Sequence, residues 1–292
     1  MTVPMLTDAL GPRARRKVRI ISIIAGAVLV LFVVLAIRRL GDNGQLESDK
    51  WEPLTRWSVL KFYLVGLGNT VKAAAVAMVF ALTVGGLIAL ARLARHRLVR
   101  WLATGYVEFF RGLPLLLLIL FTALGLPQLG VRLEIFTYLV IALGVYNSAV
   151  LAEIFRAGIL SLDRGQGEAA SSLGLAYWPA MAYVILPQAV RRMVPAIVSQ
   201  LVTLLKDTSL GFIIAFEELL GRARINGIFF TNNLQSLTLA ALMFVAINWS
   251  LSRLATRLEA RQRRRYRAGG IAVTGIEDLA VDQAKAAGPA AL

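Results

Sequence analysis

Residues 73–91 read AAAVAMVFALTVGGLIALA and contain no charged side chain. A helix needs about 20 mostly apolar residues to cross the hydrocarbon core of a bilayer, where its own hydrogen bonds satisfy the backbone. The composition of the 292-residue chain agrees, because 58% of the residues are hydrophobic, 17% are charged and the mean hydropathy is +0.68. Soluble proteins contain about 45–50% apolar and about 25% charged residues. The sequence therefore predicts an all-α, polytopic membrane protein.

The same criterion finds five further candidate spans. They are residues 20–37, 112–126, 135–152, 193–216 and 237–252. The run 112–126 is short and is completed by 101–111, while Lys206 and Asp207 interrupt the run 193–216. No small-x-small cleavage site follows the first run, so we expect a membrane anchor rather than a signal peptide. Six transmembrane helices are predicted.

Lys and Arg side chains are unevenly distributed between the two ends of these spans. The predicted inner segments carry more than twice as many of them as the predicted outer segments. Because positively charged loops remain in the cytoplasm, both termini and the loop 156–192 are predicted to be cytoplasmic. The same bias accounts for the formal net charge of +15 and makes nucleic acid an unexpected partner of this membrane protein.

The chain lacks the residues of several kinds of active site. It has no cysteine and one histidine, His96, in a short basic loop, and no lysine follows a glycine, which excludes a GxxxxGK[ST] phosphate loop. An intramembrane enzyme would need acids, bases or metal ligands that converge at one depth, and the sequence shows none. We therefore expect a protein that is not an enzyme and holds no cofactor or metal, and any use of ATP requires a partner subunit.

The predicted cytoplasmic loop contains Glu168, Ala169 and Ala170, followed by Gly174 and then by Leu186 and Pro187. This spacing resembles the EAA loop of ABC importer permeases, with Val184 at the position of an isoleucine. Four flanking segments resemble the polar amino-acid branch of that family. They are AEIFRAGI at 152–159, GQG at 165–167, LKDTSL at 205–210 and EFFRGLP at 108–114. The resemblance extends over about residues 68–265.

The resemblance implies a type I importer core of five helices, here preceded by one extra N-terminal helix. It also implies ATPase subunits that bind the EAA loop through Glu168, Ala169, Ala170, Gly174, Leu186 and Pro187. Further expected partners are a second permease, identical or sibling, an external solute-binding protein, membrane lipid and a small polar amino acid. The extra helix and the long outer loop are most similar to glutamate-uptake permeases of actinobacteria, among the glutamine, histidine, arginine and glutamate systems.

These expectations divide the chain into four parts. They are 1–40, the N-tail and extra helix; 41–67, an outer loop with an interfacial amphipathic segment; 68–258, the permease domain with its coupling loop 156–187; and 259–292, a basic and then disordered C-tail.

Elementary helix chemistry gives the coupling loop a local structure. Gly165 and Gly167 are expected to end the preceding segment, and Glu168 to begin a short helix, where a carboxylate is favoured by the helix dipole. Gly174 stops that helix, and Pro187 limits where the next helix begins. The alternative is a connecting hairpin with no binding role.

Polar residues at membrane depth are candidates for the substrate path, because unpaired charges there are costly. The candidates are Lys206, Asp207, Thr208, Ser209 and Asn147. For Lys206 and Asp207 the alternative is a pair of interhelical salt bridges. Residues three apart can pair on one helix, so Glu108 with Arg111 and Glu153 with Arg156 are expected to be structural ion pairs.

Two other functions remain open on the sequence alone. A secondary transporter or channel would run on an ion gradient without an ATPase, and it is expected to show paired broken helices in an inverted repeat. The sequence has one interrupted span and no visible repeat. A membrane scaffold without transport is the third possibility.

Overall fold

The computed structural model of the protein describes residues 11–94, 96–254 and 256–257, and these are helical with short connections and no strand. This confirms the predicted all-α class. The C-tail predicted at 259–292 lies outside the described residues. The elements are α1 (Pro12–Asp42), α2 (Ser48–Thr55), α3 (Trp57–Arg92), α4 (Arg97–Gly112), α5 (Leu115–Gln128), α6 (Ile135–Leu160), α7 (Arg164–Ser172), α8 (Tyr177–Ile214), α9 (Leu219–Phe229) and α10 (Asn233–Leu254).

Five of these helices, α1, α3, α6, α8 and α10, are long and apolar enough to cross a membrane. The remaining predicted span, 112–126 completed by 101–111, is divided into α4 and α5, whose axes are bent by 99°. Leu113 is extended at the break, with ψ of 136°. Pro114 explains that conformation, because a proline disfavours the helical region for the residue before it. A sixth span exists only if α4 and α5 together make one crossing.

Two helices begin earlier than the hydropathy of the sequence predicts. Helix α3 has 36 residues, about 54 Å at 1.5 Å per residue, so residues 57–67 of the predicted outer loop are the start of this helix. Val59 and Tyr63 are buried there in a small apolar cluster that also contains Leu219 of α9. Helix α8 begins at Tyr177, sixteen residues before the predicted run.

The centre of the bundle is the contact between α3 and α6, the most extensive between any two described helices. A Cβ atom at Gly85 would lie 2.7 Å from the carbonyl oxygen of Ser148, so only glycine permits this approach. Ala77 and Ala81 are also fully buried on α3. Small residues at a membrane helix interface allow two backbones to come close and gain packing energy.

Polar contacts at the start of α10 hold the connection between α1 and α2. Gln235 donates a hydrogen bond to the carbonyl of Gln45 at 2.5 Å, and Asn232 donates to the carbonyl of Lys50 at 2.9 Å. The apolar window of α1 has no buried residue within the described structure. Helix α1 is therefore attached to the core through its connecting segment rather than by helix packing.

Candidate functional site

Helix α7 is the short helix of the predicted coupling loop, and it begins earlier than expected. Asp163 is its N-cap, and its carboxylate accepts a hydrogen bond from the backbone N–H of Gly165 at 2.7 Å. A capping side chain satisfies an N–H group that has no partner within the helix. Gly165 and Gly167 consequently lie inside α7 rather than before it, and Glu168 lies in the second turn. The prediction that Glu168 begins the helix was wrong.

The end of α7 follows the prediction for Gly174. This residue has φ of 79°, and its N–H donates to the carbonyl of Ser171 at 2.9 Å. Leu175 donates to the carbonyl of Ala170 at 3.1 Å. The two bonds form a Schellman motif, in which a glycine takes the left-handed conformation just past the helix. The chain turns sharply here and returns towards α8.

The surface of α7 combines small, acidic and apolar groups. Glu168 and Ala169 are exposed, while Ala170 is 3% exposed and packs inward. Leu173, immediately after the helix, is 82% exposed. The exposed side of α7 is therefore a short edge formed by Glu168, Ala169 and the following Leu173.

Side-chain bonds fix the loop to the membrane helices. Gln188 on α8 donates to the side-chain oxygen of Gln166 on α7 at 2.9 Å, and Arg192 on α8 donates to the carbonyl of Ser161 at 2.8 Å. Pro187 lies at the start of the regular α-helical segment Leu186–Asp207, as expected for a proline that limits where a helix begins. This segment continues from a π-helical turn, Met181–Ile185, within α8, and Leu186 is half-buried.

Lys206 and Asp207 lie where α8 changes its geometry. The regular helix ends at Asp207, and a 3₁₀ turn, Thr208–Ile214, follows. Such 3₁₀ turns are frequent at the C-terminal end of a helix. Neither residue has an ion-pair partner among the described residues, so the interhelical salt bridges considered above do not form within that part of the chain. Lys206 and Ser209 line a cavity of about 590 Å³ between α8 and α10.

The side chains of Thr208 and Asn147 form hydrogen bonds inside the bundle and do not line this cavity. Both are fully buried. Thr208 donates to the carbonyl of Leu205 at 2.7 Å. Asn147 donates to the carbonyl of Leu143 and accepts from Gln200 on α8 at 2.7 Å. Buried polar groups need such partners. The bond between Asn147 and Gln200 joins α6 to α8.

The two expected ion pairs differ. Glu153 accepts hydrogen bonds from Arg156 on its own helix and also from Arg92, the last residue of α3. Glu108 and Arg111 form no ion pair within the described structure, which corrects the expectation for them. Both are exposed on α4, where an ion pair gains little against the entropy of two long side chains.

Sequence reasoning missed Arg92, Gln188 and Gln200. Each contacts a residue on another helix, and no local spacing identifies such a partner. Arg92 was visible only as part of a basic loop, and the two glutamines only as polar residues within or beside an apolar run. Within the described residues, no group of three or more His, Asp or Glu side chains has the arrangement of a metal site.

Known proteins match this architecture. Residues 81–264 match the model of the family described as binding-protein-dependent transport system inner membrane component. The chain is 43% identical over 209 residues to the probable glutamine ABC transporter permease protein GlnP of Bacillus subtilis (strain 168), covering 70% of this chain and 94% of the relative. It is 37% identical over 233 residues to the glutamate transport system permease protein GluD of Corynebacterium glutamicum, covering 78% and 85%.

A solved structure agrees with these relatives. One chain in the crystal structure of an amino acid ABC transporter with histidines superposes with a TM-score of 0.68 at 32% identity, covering 72% of this chain and 98% of that one. The fold and site therefore define a multi-pass membrane protein of the ABC importer class. The chain belongs to the binding-protein-dependent transport system inner membrane component family, as the permease subunit of an amino-acid importer.

Proposed function

We propose that this permease carries glutamate, or a related polar amino acid such as glutamine, into a bacterial cell. The names of GlnP and GluD support this substrate class. In this chain the region that matches the family begins at residue 81, and α1 and α2 lie before it. The protein itself is not the ATPase, since its sequence has no phosphate-binding loop.

The observation that carries the proposal is the exposed edge of α7. Its capped start and its Schellman end make a rigid helix of nine residues, and Glu168, Ala169 and Leu173 point away from the bundle. An ATPase subunit that receives this helix in a groove would move it as nucleotide binds. The EAA loop is then the coupling element between ATP hydrolysis and transport.

The proposed assembly contains two permeases, identical or sibling, two ATPase subunits and an external solute-binding protein. Both termini and α7 lie in the cytoplasm, on the side where arginines accumulate. Nucleotide on the cytoplasmic side and the loaded binding protein on the external side favour the same state of the assembly. The two ligands therefore shift one equilibrium between inward-open and outward-open forms.

The substrate path is proposed to run along the cavity that contains Lys206 and Ser209. Lys206 has no acidic partner among the described residues, and a lysine at membrane depth without such a partner is costly unless it faces water or a ligand. The carboxylate of an amino acid is the complementary group for Lys206, and its ammonium group is complementary to Asp207. Both side chains lie at the break between the regular helix and the 3₁₀ turn.

Co-purification tests the coupling role directly. The protein, co-expressed with its cognate ATPase and extracted in mild detergent, should carry the ATPase in equal proportion. Leu173→Glu should lose the ATPase, because it places a charge on the exposed apolar end of α7. Leu129→Glu is the matched control, since Leu129 is 73% exposed but lies after α5, and it should keep the ATPase.

Recovery of a folded protein without any ATPase would instead favour a transporter that runs on an ion gradient. Equal ATPase recovery from both leucine variants would mean that α7 is only a connector.

A further inference from the structure

Gln188 is the one described side chain that hydrogen-bonds both to the coupling helix α7 and to the irregular turn of α8. Its Nε2 atom donates to Oε1 of Gln166 at 2.9 Å and to the backbone carbonyl of Val184 at 3.0 Å. The first bond joins α7 to α8, and the second lies within α8. The amide group of Gln188 thus contacts both α7, which an ATPase would move, and the π-helical turn of α8, which would bend.

The turn before Gln188 is a natural point of bending. Leu186 donates its N–H to the carbonyl of Met181, five residues earlier, as in a π-helix. Pro187 has no N–H to donate to the carbonyl of Tyr183, four residues before it. Helices bend at π-turns and at prolines because the regular i to i−4 ladder is interrupted there. Both causes coincide within residues 181–187.

Beyond this turn, one face of α8 packs against the end of α6. Ala189 and Met193 are buried, and a Cβ atom at Gly158 would collide with the side chain of Met193, so the two helices are in close contact there. Before the turn, Trp178 is 59% exposed, and within the turn Tyr183 is 79% exposed, whereas Met181 belongs to the same buried cluster as Ala189 and Met193. The turn therefore packs on the core through one face and leaves its other face exposed.

A second hydrogen bond joins α8 to the loop at a different position. Arg192 bonds to the carbonyl of Ser161, which follows α6 and precedes α7. Removing the Gln188 side chain leaves this attachment at the root of the loop intact. The bond between Gln166 and Gln188 is thus separable from the general anchoring of the loop.

We propose that Gln188 is a positioning residue that transmits the displacement of α7 to the π-turn of α8, and so to the segment that carries Lys206. This inference rests on the proposed function, since it requires an ATPase on α7. Substituting Gln188 should leave ATPase attachment and ATP hydrolysis in place but lower the amount of substrate moved for each ATP consumed.

The test uses the complete importer, reconstituted in proteoliposomes with the ATPase and the loaded binding protein. Uptake of labelled glutamate and release of phosphate are measured on the same vesicles. In Gln188→Leu and Gln166→Leu, uptake per ATP should fall about fivefold, the scale of one lost hydrogen bond. Gln166→Glu keeps the acceptor and should stay near wild type, as should Gln128→Leu, a control at an exposed glutamine that is the last residue of α5.

Each outcome decides the question. An unchanged ratio in both leucine variants overturns the role of Gln188 while leaving the importer function intact. Loss of ATPase attachment in both variants also overturns it, because the bond would then serve assembly alone. If Gln188→Leu alone fails to assemble, the ratio in Gln166→Leu decides. Absence of ATP-driven uptake in the wild type would refute the proposed function instead.

Discussion

Arg92, the last residue of α3, is ion-paired with Glu153 on α6, and the pair joins the C-terminal end of α3 to α6. The side chain of Arg92 is 10% exposed and that of Glu153 is 27% exposed. Arg156 donates to the other carboxylate oxygen. Glu153 is thereby held by two arginines, one from each helix.

Removing either partner should destabilise the folded protein. Arg92→Ala leaves part of the Glu153 charge unpaired, and losing a hydrogen bond to a charged group costs about 1.5–3 kcal/mol. Thermal unfolding in detergent measures the loss. Arg100→Ala is the control, since Arg100 is exposed on α4 and has no ion pair within the described residues. Equal unfolding temperatures for both variants would show that the pair contributes nothing.

Gly174 should tolerate substitution poorly for conformational rather than steric reasons. Nothing lies within 4 Å of a Cβ built there, but φ is 79°, and a side chain in the left-handed region costs about 1–2 kcal/mol. Gly174→Val should therefore disturb the end of α7 and weaken ATPase binding, with protein level unchanged. Gly167→Ala is the matched control, because Gly167 is helical with open space around it. Wild-type ATPase binding in Gly174→Val would contradict the role of this turn.

Five of the spans and the end of α7 at Gly174 were predictable because their causes are local in sequence. A bilayer requires a continuous apolar run, and Gly174 meets a local backbone requirement that a glycine satisfies. The early start of α8 was not predictable, since residues 177–192 mix aromatic residues, prolines and arginines without a long apolar run. The pairing of Arg92 with Glu153 joins residues 61 apart in sequence, and only helix packing brings them together.

Glu218 should make stability depend on pH. This residue, between α8 and α9, is fully buried, and burial raises the pKa of its carboxyl from 4.5 to about 7, although Leu220 and Gly221 donate to it. The folded protein therefore favours the protonated form. The free energy of unfolding should fall as pH rises from about 4.5 to about 7 and change little above that.

Unfolding temperatures at several pH values test this dependence. Glu218→Gln should flatten the profile, because the side chain no longer titrates. Glu217→Gln should keep the wild-type slope, since Glu217 is exposed. A profile that Glu218→Gln leaves unaltered would assign the pH dependence to other groups.

Membrane orientation follows from the arginine distribution and is open to direct measurement. A reporter that is active only outside the cytoplasm should be silent when fused after Arg265 and active when inserted near Asn43, in the connection between α1 and α2. Activity at the first site, or silence at the second, would mean that the chain crosses the membrane a different number of times.

The proposed substrate path predicts loss of transport without loss of assembly. Lys206→Met and Asp207→Asn should each lower uptake by about tenfold or more, the factor that corresponds to about 1.4 kcal/mol of binding. Thr203→Val is the control, because Thr203 is exposed one turn earlier on α8 and bonds only to the carbonyl of Ser199. Normal uptake by both charge variants would remove these residues from the path.

The central claim is that this chain moves a polar amino acid inward at the expense of ATP hydrolysed by a partner. The direct test of this claim is the uptake of radiolabelled glutamate into proteoliposomes. The vesicles contain the permease and its ATPase, with binding protein outside and ATP inside. We expect accumulation that requires both ATP and binding protein and that unlabelled glutamate or glutamine suppresses. Accumulation driven by an ion gradient without ATP, or none of any polar amino acid from an intact complex, would contradict the account.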